Sequence, residues 1–464
     1  VEVAALVFML KKITPKKLFR GVSFGVLYTF VSLVVIVLGT LIAIQYAKGG
    51  LRFTKTGGFQ PETGLLNANS FPTGAEVYVD GELLTATDNT LYLPPGEYLV
   101  EIRKEGYSPW QKNLTIEKEL VTQTNAQLFP SAPSLSPLTL SGASRIVTSP
   151  DGQKIVFYTN NAHSAENNGL YLLELSNNFI PLGRGPKLIA IDVPEYNLDQ
   201  ASLIWSPNSA ELMILTDEKE MLIEVGSKIE LTKMPDIAWK RAQVLSEWEE
   251  EIYQREREFL KDYPEEIVRI ATSSAKNAYF SPDKKKLMYT ATTTLILPDE
   301  IVPPLPSRST QPETRTLGAD QIYIYDTQDD RNFLIGKEAS DRQVAKHLLA
   351  TDLYGPGQTL ESSPAAFTRL QAPTVAETAR RFQVHHTPLY TTSLQWLPDS
   401  NHLINSLGEA IEIMEYDGGN RTVVYAGQFA ENFFYPWPNG EKLIILTTFS
   451  PTAPANLYAI ELKN

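Results

Sequence analysis

Ser149-Pro150-Asp151-Gly152 recurs four more times in altered form: Ser206-Pro207-Asn208-Ser209, Ser281-Pro282-Asp283-Lys284, Leu397-Pro398-Asp399-Ser400 and Trp437-Pro438-Asn439-Gly440. In three copies an aromatic residue stands two before the proline (Trp205, Phe280, Trp396). A short apolar run follows each time: Ile155–Tyr158, Leu212–Leu215, Leu287–Tyr289, Leu403-Ile404 and Leu443–Leu446. The pattern reads as strand, tight turn, strand. Proline pre-sets the turn angle, and Asp or Asn is expected to take the awkward backbone positions. Such a unit cannot hide its apolar face alone, so its recurrence predicts radial or linear stacking of like units.

A second strand follows every copy: Leu170–Leu175, Met221–Val225, Gln321–Asp326, Ile411–Tyr416 and Leu457–Leu462. The unit "aromatic-Ser-Pro-Asp, strand, loop, strand" resembles the WD40-like repeats of TolB-type β-propellers, over residues 140–464. Successive prolines are 57, 75, 116 and 40 residues apart, so only the last gap is near a bare repeat. Two insertions account for the excess, at 236–263 and 339–390. With about 80 residues set aside for them, the region has room for five or six blades of about 40–45 residues. A solenoid of the same units is the alternative, but a closed ring protects strand edges better.

The insertion at 236–263 predicts an amphipathic helix, capped by Asp236 and stopped by Pro264. Leu245, Trp248, Ile252 and Phe259 recur on one face, and glutamates cover the others. These four residues are the candidate partner-binding positions. The helix is either a lid on the propeller rim or a docking helix for a partner. In the second insertion, Thr374 and Glu377 have the capping-box spacing of a short helix.

Residues 64–130 form a separate β pattern. Val77 and Val79 alternate with polar neighbours, Asp80-Gly81 marks a hairpin, and Pro94-Pro95-Gly96 marks a turn. Together with Pro72-Thr73-Gly74-Ala75, Leu93 and Gly106-Tyr107, these residues resemble the PEGA domain family of small β-sandwich modules from microbial envelope proteins. The chain departs from the family at Thr73 and at Leu84–Thr87. The resemblance implies attachment, spacing or envelope contacts, and no catalysis. Tyr107 and Trp110 are either the core and rim of the sandwich or a carbohydrate-stacking pair.

Upstream, Gly21 to Ala47 contains no charged side chain. As a helix these 27 residues would reach about 40 Å, enough for a hydrocarbon core of about 30 Å. Residues 1–20 carry five Lys/Arg and one Glu, a net +4 within a chain of net charge −13. The basic excess predicts a cytoplasmic tail at 1–20, a transmembrane helix at 21–47, a linker at 48–63 and an extracytoplasmic remainder. The run is longer than a signal-peptide core, and no clear cleavage site follows. Met9-Leu10-Lys11-Lys12 has the form of a natural start, with residues 1–8 upstream of it.

The acidic body argues against nucleic acid. The 464 residues contain no cysteine, which removes thiolate metal sites, disulfides and cysteine nucleophiles. There is no Gly-x-Ser-x-Gly elbow, zinc-binding His-Glu-x-x-His or phosphate loop. The histidines are His163, His347, His385, His386 and His402. Adjacent His385 and His386 point opposite ways on a strand, and solvated loop histidines are expected. Calcium at the repeated Asp turns is disfavoured, because carboxylates there ordinarily accept backbone hydrogen bonds. The expectation is therefore a mainly β protein with no cofactor, metal or catalytic residues. It would be a membrane-anchored, single-pass envelope binding or scaffolding protein whose partner is a protein or an envelope polysaccharide. The alternatives are a glycan- or peptide-processing enzyme working in the propeller funnel, and a structural surface-layer component.

Overall fold

The computed structural model describes residues 24–47, 63–175, 185–303, 311–337, 394–430, 433–450 and 452–463. The expectations for the basic tail, the linker through 62, the insertion at 339–390 and His347, His385 and His386 fall outside the described residues. The chain divides into two compact units. One comprises residues up to 67 with 90–97 and 115–124, and the other comprises 68–89, 98–114 and 125 onward.

The first unit contains helix α1 (Phe24–Ala47), where Phe30, Leu33, Val35 and Ile36 are exposed. Among the described residues, no helix is long and apolar enough to cross a membrane.

Nine short strands follow: β1 (Gly64–Ala68), β2 (Ser70–Phe71), β3 (Glu76–Val79), β4 (Glu82–Ala86), β5 (Asn89–Leu93), β6 (Gly96–Arg103), β7 (Trp110–Ile116), β8 (Val121–Gln123) and β9 (Ala126–Gln127). They form a sheet β5-β1-β8, a sheet β4-β3-β6-β7 and the pair β2-β9. In β3, Val77 and Val79 are buried while Glu76 is exposed, as the alternation predicts. The hairpin after β3 turns through Asp80 and Gly81, at φ 51° and 83°. Positive φ at both central residues is the signature of a type I′ turn, which matches the strand twist.

Among the described residues, the rest of the second unit contains five antiparallel blades, one for each repeated turn. Strand β10 (Leu135–Pro137) comes first in the chain but belongs to the last sheet. Blade 1 is β11 (Ser144–Thr148), β12 (Lys154–Thr159), β13 (Gly169–Glu174) and β14 (Lys187–Ile191). Blade 2 is β15 (Ser202–Trp205), β16 (Glu211–Leu215) and β17 (Glu220–Glu224). Helices α2 (Arg241–Leu260) and α3 (Glu265–Ser273) follow.

Blade 3 is β18 (Ala275–Phe280), β19 (Lys286–Ala291), β22 (Gln321–Asp326) and β23 (Arg331–Lys337), with a side hairpin β20 (Leu295–Ile296) and β21 (Thr316–Leu317). Blade 4 is β24 (Leu394–Trp396), β25 (His402–Ser406), β26 (Ala410–Glu415) and β27 (Thr422–Ala426). Blade 5 is β28 (Phe434–Pro436), β29 (Lys442–Thr447) and β30 (Asn456–Glu461), completed by β10. Leu135 pairs with Ile460, so the propeller begins before residue 140 and its first strand closes its last blade.

Apolar clusters join the blades in cyclic order, which decides for a ring over a solenoid. Val156 and Leu172 of blade 1 pack with Trp205 and Leu212 of blade 2. Met288 and Phe333 of blade 3 pack with Leu403 and Met414 of blade 4. Ile404 and Ile413 of blade 4 pack with Leu443 and Ile460 of blade 5. Phe157 and Leu173 of blade 1 pack with Tyr435 and Ile444 of blade 5. The second strands are accordingly buried on both faces, and every residue of β19 is buried. A neighbouring blade covers each side, so strict alternation between apolar and polar residues is lost.

Blades 2 and 3 are joined through the helical insertion. Met213 of blade 2 packs with Ile237 and Leu245. Leu260, Tyr263, Ile267 and Ile270 pack with Phe280, Leu287 and Tyr289 of blade 3. The insertion is thus a wedge in the wall of the ring rather than a lid on its rim. The insertion holds one helix, α2, as expected, and a second, α3, follows Pro264. Lys240 precedes α2 without a side-chain cap, and Pro264 opens α3 as well as ending the segment before it. Asp236 instead accepts the Ala238 amide at 3.0 Å, bracing the turn ahead of the helix.

Candidate partner-binding site

Each repeated turn is closed by a backbone bond from its fourth residue to its first, as from Gly152 N to Ser149 O at 2.9 Å. That fourth residue takes the left-handed conformation in every copy: Gly152 (φ 74°), Ser209 (60°), Lys284 (60°), Ser400 (60°) and Gly440 (69°). The awkward position is therefore one later than expected. The Asp or Asn at position three accepts the amide two residues on. Asp151 Oδ1 takes Gln153 N at 3.0 Å, Asn208 takes Ala210 N at 3.0 Å and Asp283 takes Lys285 N at 3.1 Å. These oxygens are engaged by the chain itself. Among the described residues, no group of three or more His, Asp or Glu side chains could hold a metal ion.

Position four also links neighbouring blades. Ser209 Oγ accepts the Asp151 amide at 2.9 Å, and Ser400 Oγ accepts the Asp283 amide at 2.9 Å. Like ends of the blades therefore meet, and the repeated turns share one face of the ring. Between blades 2 and 3 the wedge supplies the contacts. Arg255 donates to Pro207 O at 3.2 Å, and Lys284 lies 3.7 Å from the centre of the Phe259 ring.

Of the sequence candidates, Leu245 is buried against blade 2 and Trp248 packs partly buried beside it. Phe259 is partly buried against the blade 3 cluster and meets Phe280 edge-on, with ring centroids 6.0 Å apart. Ile252 lies between the two groups on α2 and is half-buried.

His163 is exposed, as a loop histidine should be. His402 departs from that expectation. It opens β25, is 5% exposed, lies 2.6 Å from Asp399 Oδ2 and stands edge-on to Phe129. Burial pushes the Asp399 carboxyl up, but the hydrogen bond and charge of His402 and two backbone amides outweigh it and hold the carboxyl below its usual range.

Trp110 is only 2% exposed, so it cannot form a stacking platform for a sugar. Its Nε1 donates to Glu415 Oε1 at 2.5 Å. Lys112 of the same strand pairs with Glu415 and, at 2.6 Å, with Asp417, while Gln111 N donates to Asn420 at 2.8 Å. Burial raises the Glu415 carboxyl, yet the charges of Lys112 and His402 and the hydrogen bonds from Lys112 and Trp110 bring it below its usual range. Burial lowers the Lys112 ammonium, but Glu415 and Asp417 bring it above. Strand β7 is thereby fastened to the β26–β27 turn, on the face that carries the repeated turns. No sequence pattern flagged this joint, because its partners are about 300 residues apart.

The opposite face carries the loops between second and third strands and the connections between blades. It includes an open depression of about 570 Å³ lined by Glu195, Tyr196, Glu218, Lys219 and Asp236. Lys219 Nζ is turned inward, 5.3 Å from the Tyr196 ring centre and 3.4 Å from Leu231 O. Trp239, three residues past Asp236, is 81% exposed.

Residues 63–132 match the PEGA domain family. No curated protein matches the chain. Among solved structures, TolB from Acinetobacter baumannii is 10% identical with a TM-score of 0.20, over 79% of this chain and 61% of its own, less than two thirds of its length. A mitotic checkpoint complex chain is 11% identical with a TM-score of 0.29, over 72% of this chain and 93% of its own. A luciferin-regenerating enzyme is 8% identical with a TM-score of 0.25, over 71% of this chain and 95% of its own. These likenesses are too distant to bear on function.

Proposed function

We propose that this chain is a non-enzymatic, membrane-anchored envelope protein that presents a binding head outside the cytoplasmic membrane. The observation that carries this reading is the buried joint of Trp110 and Lys112 with Glu415 and Asp417. It fixes a strand of the PEGA-matching region to the end of the propeller that carries the repeated turns. A rigid ring displaying loops suits recognition of a protein or envelope polysaccharide. Among the described residues, the shifted carboxylates Asp283, Asp326, Asp399 and Glu415 serve turns or the joint, which favours binding over chemistry. For the anchor, the support is the uncharged run from Gly21 to Ala47 behind a basic segment, with exposed apolar side chains along α1. The orientation is N-terminus inside, single-pass.

Chemical cross-linking of the full chain in its native membranes, followed by affinity recovery, tests the role. A specific co-recovered envelope component is expected, together with protease sensitivity of the propeller from the outer side only. Recovery of the chain alone, or digestion of the propeller from the cytoplasmic side, would remove this reading.

A further inference from the structure

The two ends of the ring differ in chemistry. In each blade the first strand runs into the repeated turn, so in an antiparallel sheet the next loop lies at the opposite end. The exposed apolar residues Leu140, Leu407 and Phe449 lie on loops at that opposite end. Trp239 joins them. The Ile237 amide bonds Glu220 O, at the start of β17, which places the turn before α2 at this end. Arg255, further along α2, reaches the repeated turn of blade 2 at the other end.

The loops at this end are also acidic. Glu166, Glu195, Asp217, Glu218 and Glu409 are on them, with Asp236 three residues before Trp239, so that carboxylates outnumber the neighbouring Lys240. Lys219 points inward onto Tyr196, and Lys233 is paired with Glu230 at 2.7 Å. A surface that leaves a large indole in water loses apolar hydration cost when something covers it. The negative field also selects the sign of what arrives.

Resting on the binding role proposed above, we infer that the depression between Glu195, Glu218 and Asp236, together with the exposed Trp239 three residues beyond Asp236, takes a basic amphipathic segment of a protein partner. Its Lys or Arg side chains meet the carboxylates. An apolar or cationic side chain covers the Trp239 ring, where cation–π attraction adds to burial. An acidic segment or a neutral glycan would lack the charge match.

The test uses the full chain in nanodiscs of zwitterionic lipid, with empty nanodiscs as reference. The probes are two fluorescein-labelled peptides of alternating pattern, one of Lys and Leu and one of Glu and Leu, read by anisotropy. Saturable binding of the Lys/Leu peptide is expected, at least tenfold tighter than the Glu/Leu peptide. Trp239→Ala and the double variant Glu195→Gln/Glu218→Gln alter exposed side chains, so folding is preserved. Each is expected to weaken binding at least fivefold, with unchanged circular dichroism. Equal affinity for both peptides, or unchanged affinity in both variants, would overturn the inference. So would self-association of the chain that Trp239→Ala abolishes, which would assign the surface to a second copy. If native cross-linking still recovers a partner while these variants bind the peptide normally, the binding role survives and only this chemistry falls.

Discussion

Trp110 and Glu415 are 305 residues apart in the chain and 2.5 Å apart in the fold, indole nitrogen to carboxylate oxygen. Glu415 closes β26 of blade 4, and Trp110 opens β7 of the PEGA-matching region. A charge-assisted bond in a buried setting is stronger than a neutral one, and losing one partner strands the other. Lys112→Met should therefore cost about 3 kcal/mol, since it leaves two buried carboxylates without their cation. Trp110→Phe should cost about 2 kcal/mol, through the lost hydrogen bond and the volume the smaller ring leaves unfilled. Urea unfolding monitored by tryptophan fluorescence checks the order. A smaller loss for Lys112→Met than for Trp110→Phe contradicts it.

The same joint sets a pH window. Glu415 is held below its usual range, so its contribution is present above about pH 4.3, the ordinary carboxyl value, and is lost as pH falls through the depressed value. Lys112 is held above its usual range, so its contribution is complete below about pH 10.4 and is lost as pH rises through the raised value. Stability from this pair should be flat through neutrality and decline at both extremes. Glu415→Gln should remove part of the acid limb from a plot of melting temperature against pH, and an unaltered limb would rule the carboxylate out.

The blade-to-blade bonds predict a separable effect. Ser209 and Ser400 are almost wholly buried, and each accepts an amide from the preceding blade. Replacement of either by alanine should orphan that amide and cost about 1–3 kcal/mol. The two links lie in different interfaces, so the double variant should show nearly the sum. Chemical denaturation of the two single variants and the double variant decides this.

The wedge distinguishes inward from outward residues on the same insertion. Leu245→Ala should cost about 3 kcal/mol, because the side chain fills the seam with Met213 and Ile237. Trp239→Ala should change stability by less than about 0.5 kcal/mol, being a surface replacement. Excision of 236–263 should prevent folding rather than leave a trimmed head, visible as lost sheet signal in circular dichroism.

Much of the ring was legible because its instructions are local. Proline and Asp or Asn in the turn, and an apolar run after it, identify each blade within about a dozen residues. Asp80-Gly81 announces its hairpin for the same reason. The closure of the ring was less legible, since β10 pairs with a strand more than 300 residues away and has only Leu135-Ser136-Pro137 to declare it. The place of the helices was hidden for a related reason. The amphipathic pattern of Leu245, Trp248, Ile252 and Phe259 records an apolar face, and says nothing of whether that face meets a partner or the chain's own blades. Trp239 carries no periodic signal at all, and only its exposure draws attention to it.

Because β10 seals against β30, the ring remains a horseshoe until the ribosome has supplied its final strand. During that interval the flanks of blade 5 are open edges able to pair with other chains. A frameshift or nonsense change near residue 456 would thus do more than shorten the product. It would leave the first-made strand without its mate and a gap in the circle, a species that quality control should remove before it reaches any partner.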